Sequence, residues 1–248
     1  MRQALIVGSS QGIGLQLTHK LLSQEDTQVH ATYRPSSRRE DLEALKEKHG
    51  SRLNLIQLDA TIESDYQNLK QEIQSVTEEL HLLVNCVGVL NDGHAKAERR
   101  LEEVRQDQVL YSFSVNTVPT LLLARELKGF FRHSNRSVFA ALSARVGSLG
   151  DNKMGGWYSY RMSKAALNMA IRGISFEYKQ LGTGPIVVAL HPGTTETQLS
   201  EPFMKLARKK YHVHSPEETA ENLLQVISNL DSSNSGGFFD YKGEAIPF

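Results

Sequence analysis

Tyr160 and Lys164 stand four residues apart in the run from Trp157 to Lys164, a spacing that sets both side chains on one face of a helix. A phenol ordinarily loses its proton near pH 10, and a neighbouring ammonium stabilises the phenolate, drawing it toward the range useful for proton transfer at neutral pH. Tyr160 is therefore a candidate acid/base, with Lys164 as the group that tunes it. Tyr158 has no such partner, because Met162 occupies the fourth position after it. An ordinary surface helix can carry the same pair, so its context has to decide.

A second constellation lies near the N-terminus. The apolar run at residues 4–8 leads into Gly8, Gly12 and Gly14, with Ser10, Gln11 and Ile13 between them, at the start of a helical stretch. Glycines permit a tight turn and close backbone approach to a pyrophosphate, and the helix N-terminus aims free N–H groups at it. The spacing is GxxxGxG rather than GxGxxG, with the same mechanics; taken alone, an ordinary glycine-rich turn fits it equally. In dinucleotide sites a carboxylate about 20 residues further on bonds the ribose 2′-hydroxyl. Here the segment from His30 to Arg34 holds no acidic residue. Arg34 can grip a 2′-phosphate through charge-assisted hydrogen bonds, which favours NADP(H). Its alternative role, shared with Arg38 and Arg39, is the solvated start of the next helix.

These groups need a scaffold. Short β-rich apolar runs at residues 4–8, 28–33, 53–58, 81–86, 137–142, 185–190 and 237–241 alternate with helical stretches at 12–23, 39–49, 64–79, 101–132, 156–180 and 216–230. Such alternation predicts an α/β fold: a doubly wound, parallel seven-stranded sheet with helices on both faces, in a single domain over 1–248. Pro119 lacks an N–H and should kink the helix at 101–132, freeing the carbonyl of Val115 beside Asn116.

Composition narrows the function classes. Among 248 residues, 28 basic and 28 acidic side chains cancel, so no global field draws the chain to nucleic acid or an anionic membrane. No apolar run approaches the roughly 20 residues that span a bilayer. A lone cysteine, Cys86, and the absence of a signal-peptide core point to the cytoplasm. Cys86 itself reads as a small, inert strand residue. Nine histidines include His212 and His214, but a His-x-His pair lacks the further ligands a metal site needs, so no metal is expected. His191 reads as a packed turn residue.

The ordered set Gly8, Gly12, Gly14, Asp59, Asn85, Gly88, Asn116, Ser143, Tyr160, Lys164, Pro192 and Gly193 resembles the short-chain dehydrogenase/reductase family along nearly the whole chain. Residues 155–164 and 237–248 look most similar to its C-factor and Sniffer-like carbonyl reductase branch. The resemblance implies that the glycine loop cradles the cofactor phosphates and that Asp59, with Ala60 beside it, receives the adenine. Asn85 and Gly88 match an Asn-Asn-Ala-Gly element beside the cofactor, from which Cys86 and Val87 depart. Asn116, Ser143, Tyr160 and Lys164 would form the catalytic tetrad: Ser143 orients the substrate carbonyl, Asn116 holds a water bridging to the lysine, and Lys164 also bonds the nicotinamide ribose. Pro192 and Gly193 match the turn over the nicotinamide, with Thr195 and Thr197 set for its carboxamide.

The implied activity is interconversion of a carbonyl and an alcohol, with NADP(H) and a small-molecule substrate. A homodimer or homotetramer pairing through the two long helices is implied as well. Residues 196–212 would cover the substrate, for which Arg145, Trp157 and Phe203 are candidate contacts. A second reading, an NADP(H)-binding sensor with little turnover, rests on the same fold.

Overall fold

The computed structural model describes residues 1–180, 182, 184–210 and 212–248, with the backbone alone at 206 and 210. Its strands are β1 (Arg2–Val7), β2 (Thr27–Tyr33), β3 (Leu53–Gln57), β4 (Leu82–Asn85), β5 (Val138–Leu142), β6 (Ile186–His191) and β7 (Phe238–Asp240). The helices are α1 (Gly12–Leu22), α2 (Glu40–His49), α3 (Glu63–Gln74), α4 (Gln106–Asn116), α5 (Val118–Leu127), α6 (Tyr158–Lys179), α7 (Met204–Lys210) and α8 (Pro216–Asn229). All seven strands run parallel in the order β3-β2-β1-β4-β5-β6-β7.

The period of two along each strand divides the core. In β1, Ala4 and Ile6 join Leu17, Leu21, Leu42 and Leu223 from α1, α2 and α8. Leu5 and Val7 turn to the other face, against Leu69, Leu123, Leu167 and Ile171 from α3, α5 and α6. Burying each leucine or isoleucine contributes about 1.5–3 kcal/mol, so both faces must be covered, and the βα crossovers cover them. The strand order reverses between β1 and β4, which opens a crevice beyond their carboxyl ends where ligands of such sheets bind.

Two helices differ from expectation. The stretch at 101–132 is a short 3₁₀ turn at Leu101–Glu103, then α4 and α5, then a second turn at Lys128–Phe131. The break falls at Thr117, two residues before Pro119, whose missing N–H cannot reach back to Val115. Thr120 N donates to the Thr117 carbonyl at 3.2 Å rather than to Asn116, as an unbroken helix would require. The helix expected to reach residue 79 ends at Gln74, where Thr77 Oγ1 bonds both the N–H and the carbonyl of Glu79 and competes with helical pairing. No described helix is long and apolar enough to cross a membrane.

His30, which is buried, and His191, which is partly so, make the fold sensitive to acid. His30 bonds Gln3 Oε1 at 3.2 Å, and His191 Nδ1 has no partner among the described residues. Burial pulls both down to about 4 from an ordinary 6.5. Above pH 6.5 both stay neutral whether the chain is folded or unfolded. Between 6.5 and 4 the unfolded chain takes up protons that the folded one refuses, so stability falls as pH falls, by up to about 3 kcal/mol per histidine. Urea melts at pH 7.5 and pH 4.5 should show this loss, and replacing His30 with Gln should shrink it; equal loss in that variant would remove His30 from the account.

Candidate active site

The glycine turn sits at the sheet's switch point. Gly8 and Gly12 take φ of +85° and +56°, the left-handed region that glycine enters without strain. Gly14 is required by proximity: a Cβ there would lie 2.1 Å from the Gly8 carbonyl oxygen. Thr32 ties the turn to β2, its Oγ1 accepting from Gly8 N at 3.0 Å and its carbonyl from Ser9 N at 2.8 Å. No side chain caps α1 at Gln11, so the first N–H groups and the positive helix end are left to an anion. That is the cradle a dinucleotide pyrophosphate needs, and the residues present fit it.

Arg34 is exposed just beyond the carboxyl end of β2. Arg38 faces Glu40 and Arg39 faces Glu43, each at 3.7 Å; among the described residues Arg34 pairs with no carboxylate. Asp59 follows β3 with Oδ1 taken by Thr61 N and Oγ1 at 3.0 and 2.7 Å, which leaves Oδ2 for a ligand. The Ala60 carbonyl accepts from Tyr66 at 2.7 Å and holds this corner in place. Asn85 faces inward instead: its Nδ2 donates to Thr120 Oγ1 at 2.9 Å and its Oδ1 accepts from Val87 N at 3.1 Å. Its side chain therefore braces β4 against α5, and direct cofactor contact is left to its backbone.

Helix α6 begins under constraint. Trp157, at its N-cap, takes a left-handed φ of +54°, a strain of about 1–3 kcal/mol. Its N–H donates to the Glu98 carbonyl at 2.5 Å. The buried Glu98 carboxyl group accepts from the Ser159 N–H at 3.3 Å and from the Ser159 hydroxyl, so it caps the first turn of the helix. One turn on, Tyr160 and Lys164 share the buried face, with Lys164 Nζ 5.7 Å from the Tyr160 ring centroid.

Lys164 Nζ donates to the Leu142 carbonyl at 2.8 Å. The next residue, Ser143, donates from Oγ to Asn168 Oδ1 at 2.6 Å, and Asn168 lies one turn beyond Lys164. Asn168 Nδ2 reaches the Gly147 carbonyl at 3.3 Å, which fixes the orientation of the amide and makes its oxygen face the serine. The end of β5 and the face of α6 are thus stitched together by two buried bonds. Gly88 lies between Asn116 and Lys164; a Cβ there would be 3.4 Å from both Asn116 Oδ1 and Lys164 Nζ.

Electrostatics correct one expectation. Lys164 does not bring the Tyr160 phenol toward neutrality here, because burial dominates and pushes it well above its ordinary value. Burial also pulls Lys164 down, to about 8, and raises the Cys86 thiol to about 12, which keeps it protonated and inert. At Asn116, where the resemblance implies a water bridging to the lysine, protein partners take most of the side chain's bonding capacity. Its Oδ1 accepts from Val89 N at 2.7 Å, and its Nδ2 donates to the Val89 carbonyl and Ser163 Oγ, both at 2.9 Å. Its Oδ1 keeps a second lone pair, and its backbone carbonyl, stripped of a helical donor by the break at Thr117, is another acceptor open to water.

After β6 the chain turns at Pro192 and Gly193. Gly193 has φ +77°, and a Cβ on it would lie 2.9 Å from the Tyr241 ring. Thr195 is buried with Oγ1 on Thr219 Oγ1 at 2.8 Å, so only its backbone can face a ligand. Thr197 lies over the glycine turn, its Cγ2 3.4 Å from where a Gly12 Cβ would be, and Gln198 bonds Gln11 at 2.9 Å. Phe203 packs on Trp157 at 4.7 Å between centroids, and Trp157 stands edge-on to Tyr160 at 6.3 Å. Arg145 instead pairs with Asp151 and Asp240 at 2.9 and 3.1 Å, holding the loop after β5 to the C-terminal segment. Residue 211, within the expected cover, lies outside the described residues.

The pattern of residue types did not single out Asn168 or Glu98. The signals were present: Asn168 repeats the four-residue step from Tyr160 to Lys164, and Glu98 is the carboxylate that the first turn of α6 lacks in its own sequence.

Known proteins share this chain's family and fold. A family model described as short chain dehydrogenase matches residues 2–232. The C-signal protein of Myxococcus xanthus is 35% identical over 149 residues, covering 60% of this chain and 83% of that protein. An NADPH-bound carbonyl reductase from chicken fatty liver superposes with a TM-score of 0.87 at 26% identity, covering 100% of this chain and 99% of that one. The carbonyl reductase Sniffer of D. melanogaster superposes at 0.86 and 26%, with full coverage of both chains.

Proposed function

Because this chain belongs to the short-chain dehydrogenase family, we propose that it interconverts a carbonyl compound and its alcohol with NADP(H), Tyr160 serving as acid/base. One observation carries the reading: Lys164 is bonded to the residue before Ser143, and Ser143 to the residue one turn after Lys164. Phenol, ammonium and hydroxyl are thereby gathered where β5 ends, beside the glycine turn. The NADPH named with the chicken carbonyl reductase supports the cofactor.

When bound, NADPH would supply hydride to the carbonyl carbon. The chain's own residues do the rest. Ser143 would orient the carbonyl oxygen by turning toward it the one hydroxyl proton that Asn168 Oδ1 otherwise holds, and donors of this kind are worth about 3–4 kcal/mol. Tyr160, kept protonated by its apolar surroundings, gives its proton to that oxygen as negative charge develops; a raised pKa suits this direction. Lys164, with its ordinary value lowered to about 8, positions the ribose and supplies positive charge beside the phenol. The described part of residues 196–212 would cover the substrate, with Trp157 and Phe203, packed on each other, walling it from water.

Arg34 would read the 2′-phosphate. Replacing it with Ala should lower the NADPH-over-NADH preference in kcat/KM about 10- to 100-fold, the worth of one or two charge-assisted hydrogen bonds. An unchanged ratio would show that another group reads the phosphate. The reading as a whole is tested by NADPH oxidation against aldehydes, ketones and quinones. Tight NADPH binding with no turnover across that panel would favour a sensor instead.

A further inference from the structure

We propose that His212, His214 and Glu218 form a site for a first-row divalent cation, Zn²⁺ foremost, that clasps the far end of the segment over the active site. The His-x-His pair lacks a third ligand in its own run, and α8 supplies it. Glu218 Oε1 lies 2.7 Å from His214 Nδ1 and 3.2 Å from His212 Nε2, and the three ligand atoms lie within 4.8 Å of one another. A tetrahedral zinc with bonds of about 2.0–2.1 Å sets its ligand atoms about 3.3–3.4 Å apart. Shifts of about 1 Å or less would therefore convert the hydrogen-bonded cluster into a coordination shell.

The chemistry of the set selects the ion. Two imidazoles and one carboxylate suit Zn²⁺ and its neighbours, whereas Mg²⁺ and Ca²⁺ require oxygen ligands. His212 is exposed and Glu218 partly so, which leaves the fourth position to water. The positive end of α8 opposes a cation, so occupancy is reversible rather than permanent.

Position provides the role. His214 is buried, its ring 4.6 Å from Tyr241. Its N–H donates to the Thr194 carbonyl and its own carbonyl accepts from Glu196 N, each at 2.9 Å. It therefore belongs to the turn after β6. His212 stands two residues after α7, at the end of the covering segment. A cation shared by these two residues and Glu218 joins the exit of α7 to that turn and to α8, closing residues 196–210 at both ends.

Tag-free protein titrated with Zn²⁺ by calorimetry should take up one ion per chain, with Mg²⁺ giving no heat. His212→Ala and Glu218→Gln, both at accessible positions, should each weaken uptake at least about tenfold while NADPH binding reports an intact fold. Zinc should also slow proteolytic cleavage within residues 196–210 of the parent chain and leave cleavage of His212→Ala unchanged. No uptake, or equal uptake by the variants, would overturn the site; uptake without protection would overturn the clasp.

Discussion

Tyr160→Phe is expected to lower NADPH-dependent carbonyl turnover by about a hundredfold to ten-thousandfold, the range a positioned general acid contributes. The substitution removes one oxygen and keeps the ring that stands against Trp157 and beneath Lys164. The fold and NADPH affinity should therefore stay close to those of the parent chain. Burial keeps the oxygen that is lost protonated at neutral pH. Lys164 Nζ spends one of its three protons on the Leu142 carbonyl and the Ser143 hydroxyl its only one on Asn168, so any proton they supply in place of the phenol would come at the cost of their positioning roles. Stopped-flow measurement of NADPH oxidation with saturating substrate would read the chemical step; a rate constant within about threefold of the parent's, far inside the range given, would take Tyr160 out of the mechanism.

Gly14→Ala should abolish useful NADPH binding, raising Kd by more than about tenfold, and should destabilise the fold by about 1–3 kcal/mol, the usual effect of overpacking a tight site. The added methyl would sit 2.1 Å from the Gly8 carbonyl oxygen and 2.9 Å from its carbon. Both obstacles are backbone, so no side chain can rotate away. Either the glycine turn lifts from α1 or the first turn of α1 unwinds, and both disperse the N–H groups that would hold a pyrophosphate. Gly12→Ala meets only Thr197 Cγ2 at 3.4 Å, so its penalty is mainly the left-handed backbone and should be smaller. Fluorescence titration of NADPH with urea melts of both variants would rank them; equal behaviour would mean that close packing is not what Gly14 provides.

Much of this was legible in the sequence because the physics involved is local or periodic. Strands buried on both faces must be apolar throughout, and the seven runs stand out for that reason. The glycine turn announces itself through backbone conformations that only glycine adopts freely, and Tyr160 and Lys164 through the helical repeat. What escaped depends on long-range pairing. Strand β1 begins at Arg2 and includes polar Gln3 because Gln3 pairs with buried His30 and its N–H with His81, partners 27 and 78 residues away. Glu98 and Asn168 likewise acquire their roles only when distant segments meet. The environment of Tyr160 was misjudged because charge proximity can be read from spacing, whereas burial needs the whole fold.

The central claim is that hydride passes from NADPH to a carbonyl carbon at this site. The most direct measurement uses NADPH carrying deuterium at the transferable position of C4, with an aldehyde or ketone that the chain reduces, and mass spectrometry of the alcohol formed. One deuterium on the carbinol carbon of the product, made by the parent chain and at most at trace level by Tyr160→Phe, is the predicted result. Conversion without deuterium at that carbon, or NADPH bound tightly with no carbonyl reduced at all, would contradict it.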